Sequence, residues 1–150
     1  MKMESCPLAR WLLLHYKIPS EPSASRVYVW RKLKRLGAYL LQDAVWVLPD
    51  TPRTLEQFQW LSAEIDEIGG EATFWRAQPA LAGQDEGLVE QFTGQVEAAY
   101  RELSQRLDSS EADLEGLSRD YQRIKSRDYF NSEAGQRLRA ALIAARGAQE

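Results

Sequence analysis

Apolar residues recur along this chain at two different periods, and the changes of period mark its elements. In WLLLHYKIP, residues 11–19, large apolar and aromatic side chains crowd together and stop at a proline. That is the pattern of a buried strand, with Leu12, Leu14, Tyr16 and Ile18 on one face. SEPSAS follows as a loop, with Ser23 or Ser25 expected to cap the next helix and Gly37 to end it in a left-handed conformation. AYLLQDAVWVLP, residues 38–49, alternates and is interrupted by Gln42-Asp43, which predicts two short strands joined by a tight turn. From Asp50-Thr51-Pro52 the period lengthens. Leu55, Phe58, Leu61, Ile65 and Ile68 recur every three or four residues, a helix with proline in its first turn and Gly69-Gly70 at its end. EATFWRAQP, residues 71–79, returns to alternation and sets Ala72, Phe74 and Arg76 against Thr73, Trp75 and Ala77.

Strand, helix, strand, strand, helix, strand is the split βαβ arrangement. The expected class is α+β: a ferredoxin-like βαββαβ domain over 1–79, with an antiparallel sheet and both helices on one face. After PALAGQDEG the composition shifts to helix formers. Val89, Phe92, Val96, Tyr100, Leu103 and Leu107 keep helical register through 88–107, and two further helices are expected over 111–126 and 133–146. Ser110 and Ser132 fit as their caps, with Asp113 and Glu133 in the first turns. Residues 80–150 therefore read as a helical extension packed on the first domain, one compact unit.

Composition adds limits. The chain has 150 residues, 44% hydrophobic and 27% charged, enough for a real core. Its formal charge is -3, so attraction to phosphate has to come from a local patch. Residues 1–79 carry 10 Lys/Arg against 9 Asp/Glu, and residues 80–150 carry 9 against 13. One cysteine, Cys6, excludes an internal disulfide and a multi-thiolate metal site, and suits a reducing compartment. The apolar run Trp11 to Leu14 stops at His15, short of a signal core or a membrane span. A soluble, cytoplasmic protein with no membrane association is expected.

Enzyme chemistry finds little support in these residues. A metal-dependent hydrolase needs converging carboxylates, and a catalytic triad needs a histidine beside a nucleophile. His15, the single histidine, falls inside the first strand, where a core or sheet-surface role fits it best. Glu64, Asp66 and Glu67 read as a solvated helix face, and no glycine-rich phosphate loop is present. No catalytic residue, metal site or cofactor is expected.

The basic stretch VYVWRKLKRLG, residues 27–37, holds more. At 100° per residue Val29, Leu33 and Leu36 face the sheet, Arg31, Lys34 and Arg35 face away, Lys32 lies at the edge and Trp30 borders the core. Last-turn cations are favoured by the helix dipole without any ligand. Arg26 is different: a cation in a first turn is disfavoured, and one projecting toward the core side calls for a carboxylate, backbone carbonyls or a bound oxyanion. RIKSRDYF, residues 123–130, is a second basic cluster, whose aromatic pair reads as a plug that docks the helical tail onto the first domain, with direct ligand binding as the alternative. Arg127 there is a further candidate for an anion.

Lys17-Pro19, Pro22-Ser23, Arg26, Trp30-Arg31, Leu33, Gly37-Ala38, Leu41-Gln42, Leu48-Pro49 and Arg127-Asp128 form a pattern that resembles the N-terminal domain of ChrB-type chromate resistance proteins. The likeness spans Trp11 to about Ala145. It implies a cytoplasmic, chromate-responsive regulator associated with DNA at the operator of a chromate-resistance operon, and no enzyme. Members of that family are typically longer, with a second domain after this one. A weaker likeness, at the level of fold, links residues 1–79 to ferredoxin-like CRISPR-adaptation nucleases, whose first strand ends in an aspartate; here that place reads Tyr16-Lys17-Ile18. On this reading Arg31, Lys32, Lys34 and Arg35 contact DNA phosphates, while Lys17, Arg26 and Arg127 bind chromate or a similar oxyanion, and a homodimer is expected. The alternative is a protein-interaction module that dimerises through exposed aromatics such as Trp46, Trp75 or Tyr39 and binds no nucleic acid.

Overall fold

A computed structural model describes residues 11–149; Cys6 and the rest of the N-terminal segment read above lie outside them. The chain divides after Asp85 into two compact units. The first unit runs β1 (Trp11–Lys17), α1 (Ser23–Leu36), β2 (Tyr39–Leu41), β3 (Val45–Pro49), α2 (Pro52–Glu67) and β4 (Glu71–Ala77). Its four strands form one sheet in the order β2-β3-β1-β4, antiparallel throughout. The class is α+β.

β1 is central and its register sorts the sheet's two faces. Leu12 lies opposite Leu48 and Arg76, Leu14 opposite Trp46 and Phe74, and Tyr16 opposite Ala72. Residues directly opposite share a face, and Leu12, Leu14 and Leu48 are fully buried there. Phe58 of α2 meets Phe74 edge-on at 6.1 Å, which identifies this as the face that α2 covers. Phe58, Leu61 and Ile65 of α2 and Val29 and Leu33 of α1 are buried, as their spacing predicts. Ile68 falls just beyond α2 and is 37% exposed. On the opposite face the Trp75 indole N–H donates to His15 Nε2 at 2.8 Å, with the two rings stacked. His15 is thus a sheet-surface residue.

The element ends follow local chemistry. Gly37 adopts the left-handed conformation at φ 79° and its N–H returns to the Leu33 and Lys34 carbonyls. Gln42 and Asp43 both take positive φ, 50° and 60°, and so turn the β2–β3 hairpin within a few residues. Thr51 caps α2 in a reciprocal arrangement with Thr54. The cap expected of Ser23 or Ser25 is absent: Pro22 occupies the cap position, extended at φ -78°, and offers no side-chain acceptor. Ser23 is therefore the first helical residue. Gly69 takes φ 88°, and a Cβ on Gly70 would lie 2.5 Å from the Lys17 carbonyl oxygen. Only glycine lets the end of α2 pass that close to the end of β1.

The second unit consists of α3 (Glu86–Leu107), α4 (Leu114–Lys125) and α5 (Glu133–Gln149). Val96, Tyr100, Leu103, Leu117, Tyr121 and Leu138 lie in its core. Tyr129 and Phe130, expected to dock the helical tail onto the first domain, pack on Phe92 of α3 within the second unit itself, at 6.1 and 6.2 Å. α4 begins three residues later than the sequence predicts, after Asp113 and not after Ser110. The Glu111 N–H donates to Ser109 Oγ at 3.3 Å, a local bond that competes with helix and leaves 108–111 as turn and bend. Ser132 does cap α5, accepting from the Gly135 N–H at 3.2 Å. No described helix is long and apolar enough to cross a membrane.

Candidate anion site and basic helix face

The last residues of β1, the loop after it and the first two turns of α1 enclose an open concavity of about 620 Å³ in the first unit. Lys17 comes from the strand end and Arg26 from the helix start, so the two cations singled out by sequence line one hollow. Tyr16, Ser20 and Ser23 add hydroxyls, and Ile18, Val27 and Trp30 form an apolar wall; no carboxylate is among the lining residues. Among the described residues neither Lys17 nor Arg26 makes a salt bridge.

Tyr16 links the hollow to the sheet. Partial burial raises its phenol pKa above the ordinary 10.0, opposed by a hydrogen bond with Trp46 and by the charge of Arg26. The phenol stays protonated at neutral pH, with its hydroxyl between a buried tryptophan and the hollow. The expected placement of two α1 residues needs correction. Arg26 does not project to the core side; it is exposed, with its charge felt at Tyr16. Trp30 does not border the core but is 50% exposed, with Lys34 Nζ 5.7 Å from its ring centre. Helical angles place both at the margin of the buried stripe, where a long side chain reaches water as readily as the core.

Along the rest of α1 the basic face is as expected. Arg31, Lys34 and Arg35 are exposed and, among the described residues, free of salt bridges. Lys32 is engaged differently, 3.2 Å from Glu64 of α2, whose other oxygen accepts from the Tyr28 hydroxyl. No local pattern points to this tie, since 32 and 36 residues separate the partners and Glu64 reads locally as solvated surface. Burial pushes the Glu64 carboxyl up, but hydrogen bonds from Tyr28 and Lys32 outweigh it and hold the group below the ordinary 4.5. The Lys32 ammonium is raised, chiefly by its bond to Glu64.

Arg127 stands in the second unit, at the end of α4. Its Nε is buried and has no hydrogen-bond partner among the described residues. Beside it the Tyr100 hydroxyl donates to Asp128 at 2.9 Å, and the Asp128 carboxylate also accepts the Ser132 N–H. Burial and that carboxylate push the Tyr100 phenol far up, against a smaller opposing effect of Arg127. Among the described residues no group of His, Cys, Asp and Glu is arranged to hold a metal ion.

Comparison with known proteins bears on this arrangement. The family model described as Protein ChrB, N-terminal, matches residues 26–109, from the arginine of the hollow to the second unit. Protein ChrB of Cupriavidus metallidurans is 30% identical over 90% of this chain, which spans 45% of that relative's length. No solved structure matches. The match covers more than half of the chain and includes α1 with its basic face, so the chain belongs to the ChrB N-terminal family.

Proposed function

We propose that the chain is a non-catalytic regulatory module of chromate resistance that works in the cytoplasm, associates with operator DNA and responds to an oxyanion. The βαββαβ order of residues 11–77 and the strand order β2-β3-β1-β4 support a ferredoxin-like unit as its scaffold. The observation that carries the reading is α1, which presents Arg31, Lys34 and Arg35 outward without carboxylate partners among the described residues, in a chain of net charge -3. Cations left unpaired on a near-neutral surface suit phosphate contacts, with Lys32 contributing in part from its bond to Glu64. Lys17 and Arg26 are the oxyanion candidates in the first unit and Arg127 in the second.

The test is a mobility shift with DNA from upstream of the chain's own gene, over a salt series, with and without chromate, and with sulfate as the tetrahedral control. Binding that weakens steeply with salt and is released by chromate in preference to sulfate is the expected result. Salt-insensitive binding, or none, removes the DNA reading.

A second reading, a dimerisation module, draws on the exposed indoles Trp60 and Trp75, at 66% and 56%. Trp75 and the half-buried Tyr39 are the expected aromatics that suit it; Trp46, at 5% exposed, is core. A salt-resistant homodimer that Arg31→Ala leaves intact, together with no DNA shift, favours this reading.

A further inference from the structure

The hollow between β1 and α1 is larger and more apolar than a bare oxyanion can use. A tetrahedral oxyanion fills roughly the space of three waters, about 90 Å³ at about 30 Å³ each, whereas the hollow measures about 620 Å³. Sites for small organic ligands run from about 300 to 1,000 Å³, mostly apolar, with a few polar groups fixing orientation. The composition here follows that division. Lys17, Arg26 and the serines Ser20 and Ser23 supply its polar lining, while Ile18, Val27 and Trp30 supply its apolar wall. Trp30 stands one helical turn beyond Arg26, about 6 Å along the axis at about 1.5 Å per residue. Val27 and Trp30 are 44% and 50% exposed, an apolar surface left in water beside two cations that make no salt bridge among the described residues.

We propose that this hollow binds an organic anion, a phosphate monoester or carboxylate joined to a flat apolar body, with the anionic group between Lys17 and Arg26 and the body against Trp30. The inference rests on the reading of Lys17 and Arg26 as an anion site and adds the part of the ligand that an inorganic ion lacks. Arginine and lysine supply the charge and the fork of donors that such a group takes, and Tyr16, which feels the charge of Arg26, adds a protonated hydroxyl to the lining. An aromatic body gains contact with the indole and removes apolar surface from water.

Calorimetric titration of the whole chain, without DNA, tests this with phenyl phosphate, inorganic phosphate, sulfate and chromate as probes. Phenyl phosphate is expected to bind about tenfold or more tightly than inorganic phosphate. Arg26→Gln should abolish binding of both. Trp30→Ala should bring phenyl phosphate down to the inorganic level without changing inorganic phosphate, and Trp30→Phe should keep most of the preference. Thermal melts of each variant establish that it is folded, which the exposure of both side chains favours. Equal affinity for phenyl and inorganic phosphate, or a preference untouched by Trp30→Ala, overturns the organic ligand while leaving the anion site standing. Failure of every probe to bind overturns both, and the DNA reading is then decided by the mobility shift alone.

Discussion

Gly135 shows how a single atom decides packing in the second unit. A Cβ there would lie 2.7 Å from two carbons of the buried Tyr100 ring, whose hydroxyl is already fixed by Asp128. Neither the ring nor its partner has room to yield, so Gly135→Ala is expected to destabilise the protein by about 1–3 kcal/mol. Gly94, exposed on α3 with open space around its Cβ position, is the control. Gly94→Ala should stabilise by about 0.5–1 kcal/mol by favouring helix. Urea unfolding of the two variants, read by far-ultraviolet circular dichroism, should show opposite shifts of midpoint. Gly70 is the corresponding residue of the first unit, and there the obstacle is backbone: the Lys17 carbonyl oxygen. Gly70→Ala is expected to displace the end of β1 and so weaken anion binding at Lys17, an effect measurable by the same titration as for Arg26→Gln.

At the scale of elements, α1 has two jobs, and the Tyr28–Glu64–Lys32 tie serves one of them by joining it to α2. Because the Glu64 carboxyl is depressed in the folded state, its contribution is complete above pH 4.5 and is lost as pH falls through the lower folded value. Lys32 behaves oppositely: raised above 10.5, it contributes fully below that pH and loses its effect as pH rises through the raised value. Glu64→Gln is expected to cost less than about 1 kcal/mol, as exposed pairs do, and to flatten the acid limb of a plot of unfolding midpoint against pH. It should also strengthen DNA binding, since it releases Lys32 and removes a carboxylate from the basic face. Much of α1 was legible in advance: the buried stripe at Val29 and Leu33, the stop at Gly37 and the outward cations all follow from periodicity. The hairpin at Gln42-Asp43, α2 and the Ser132 cap were equally readable, because each rests on neighbours in sequence. What periodicity missed is what neighbours in space decide. Nothing local to Lys32 points to Glu64, and nothing local to Trp30 says that it leaves the core. The shared hollow of Lys17 and Arg26 could be anticipated only because a strand end and the following helix start are close in the chain.

The molecule as a whole carries net charge -3, so its long-range field repels DNA and a local patch such as the face of α1 is needed to favour it. With Arg31, Lys34 and Arg35 unpaired, the logarithm of affinity should fall against the logarithm of salt with a slope of about -2.7 per chain, at about 0.9 per phosphate neutralised. Arg31→Ala or Lys34→Ala should each reduce the slope by about one unit, for any DNA sequence alike. Filter binding across a salt series measures both. The five tryptophans, Trp11, Trp30, Trp46, Trp60 and Trp75, all belong to the first unit, two of them buried and three largely exposed. Indole emission shifts to the red where water reaches the ring. With Trp60 and Trp75 replaced by phenylalanine, Trp30 becomes the one water-facing indole among the described residues, and occupancy of the hollow turns into a colour change: bound ligand moves the emission to the blue, and the protein reports its own state without a label.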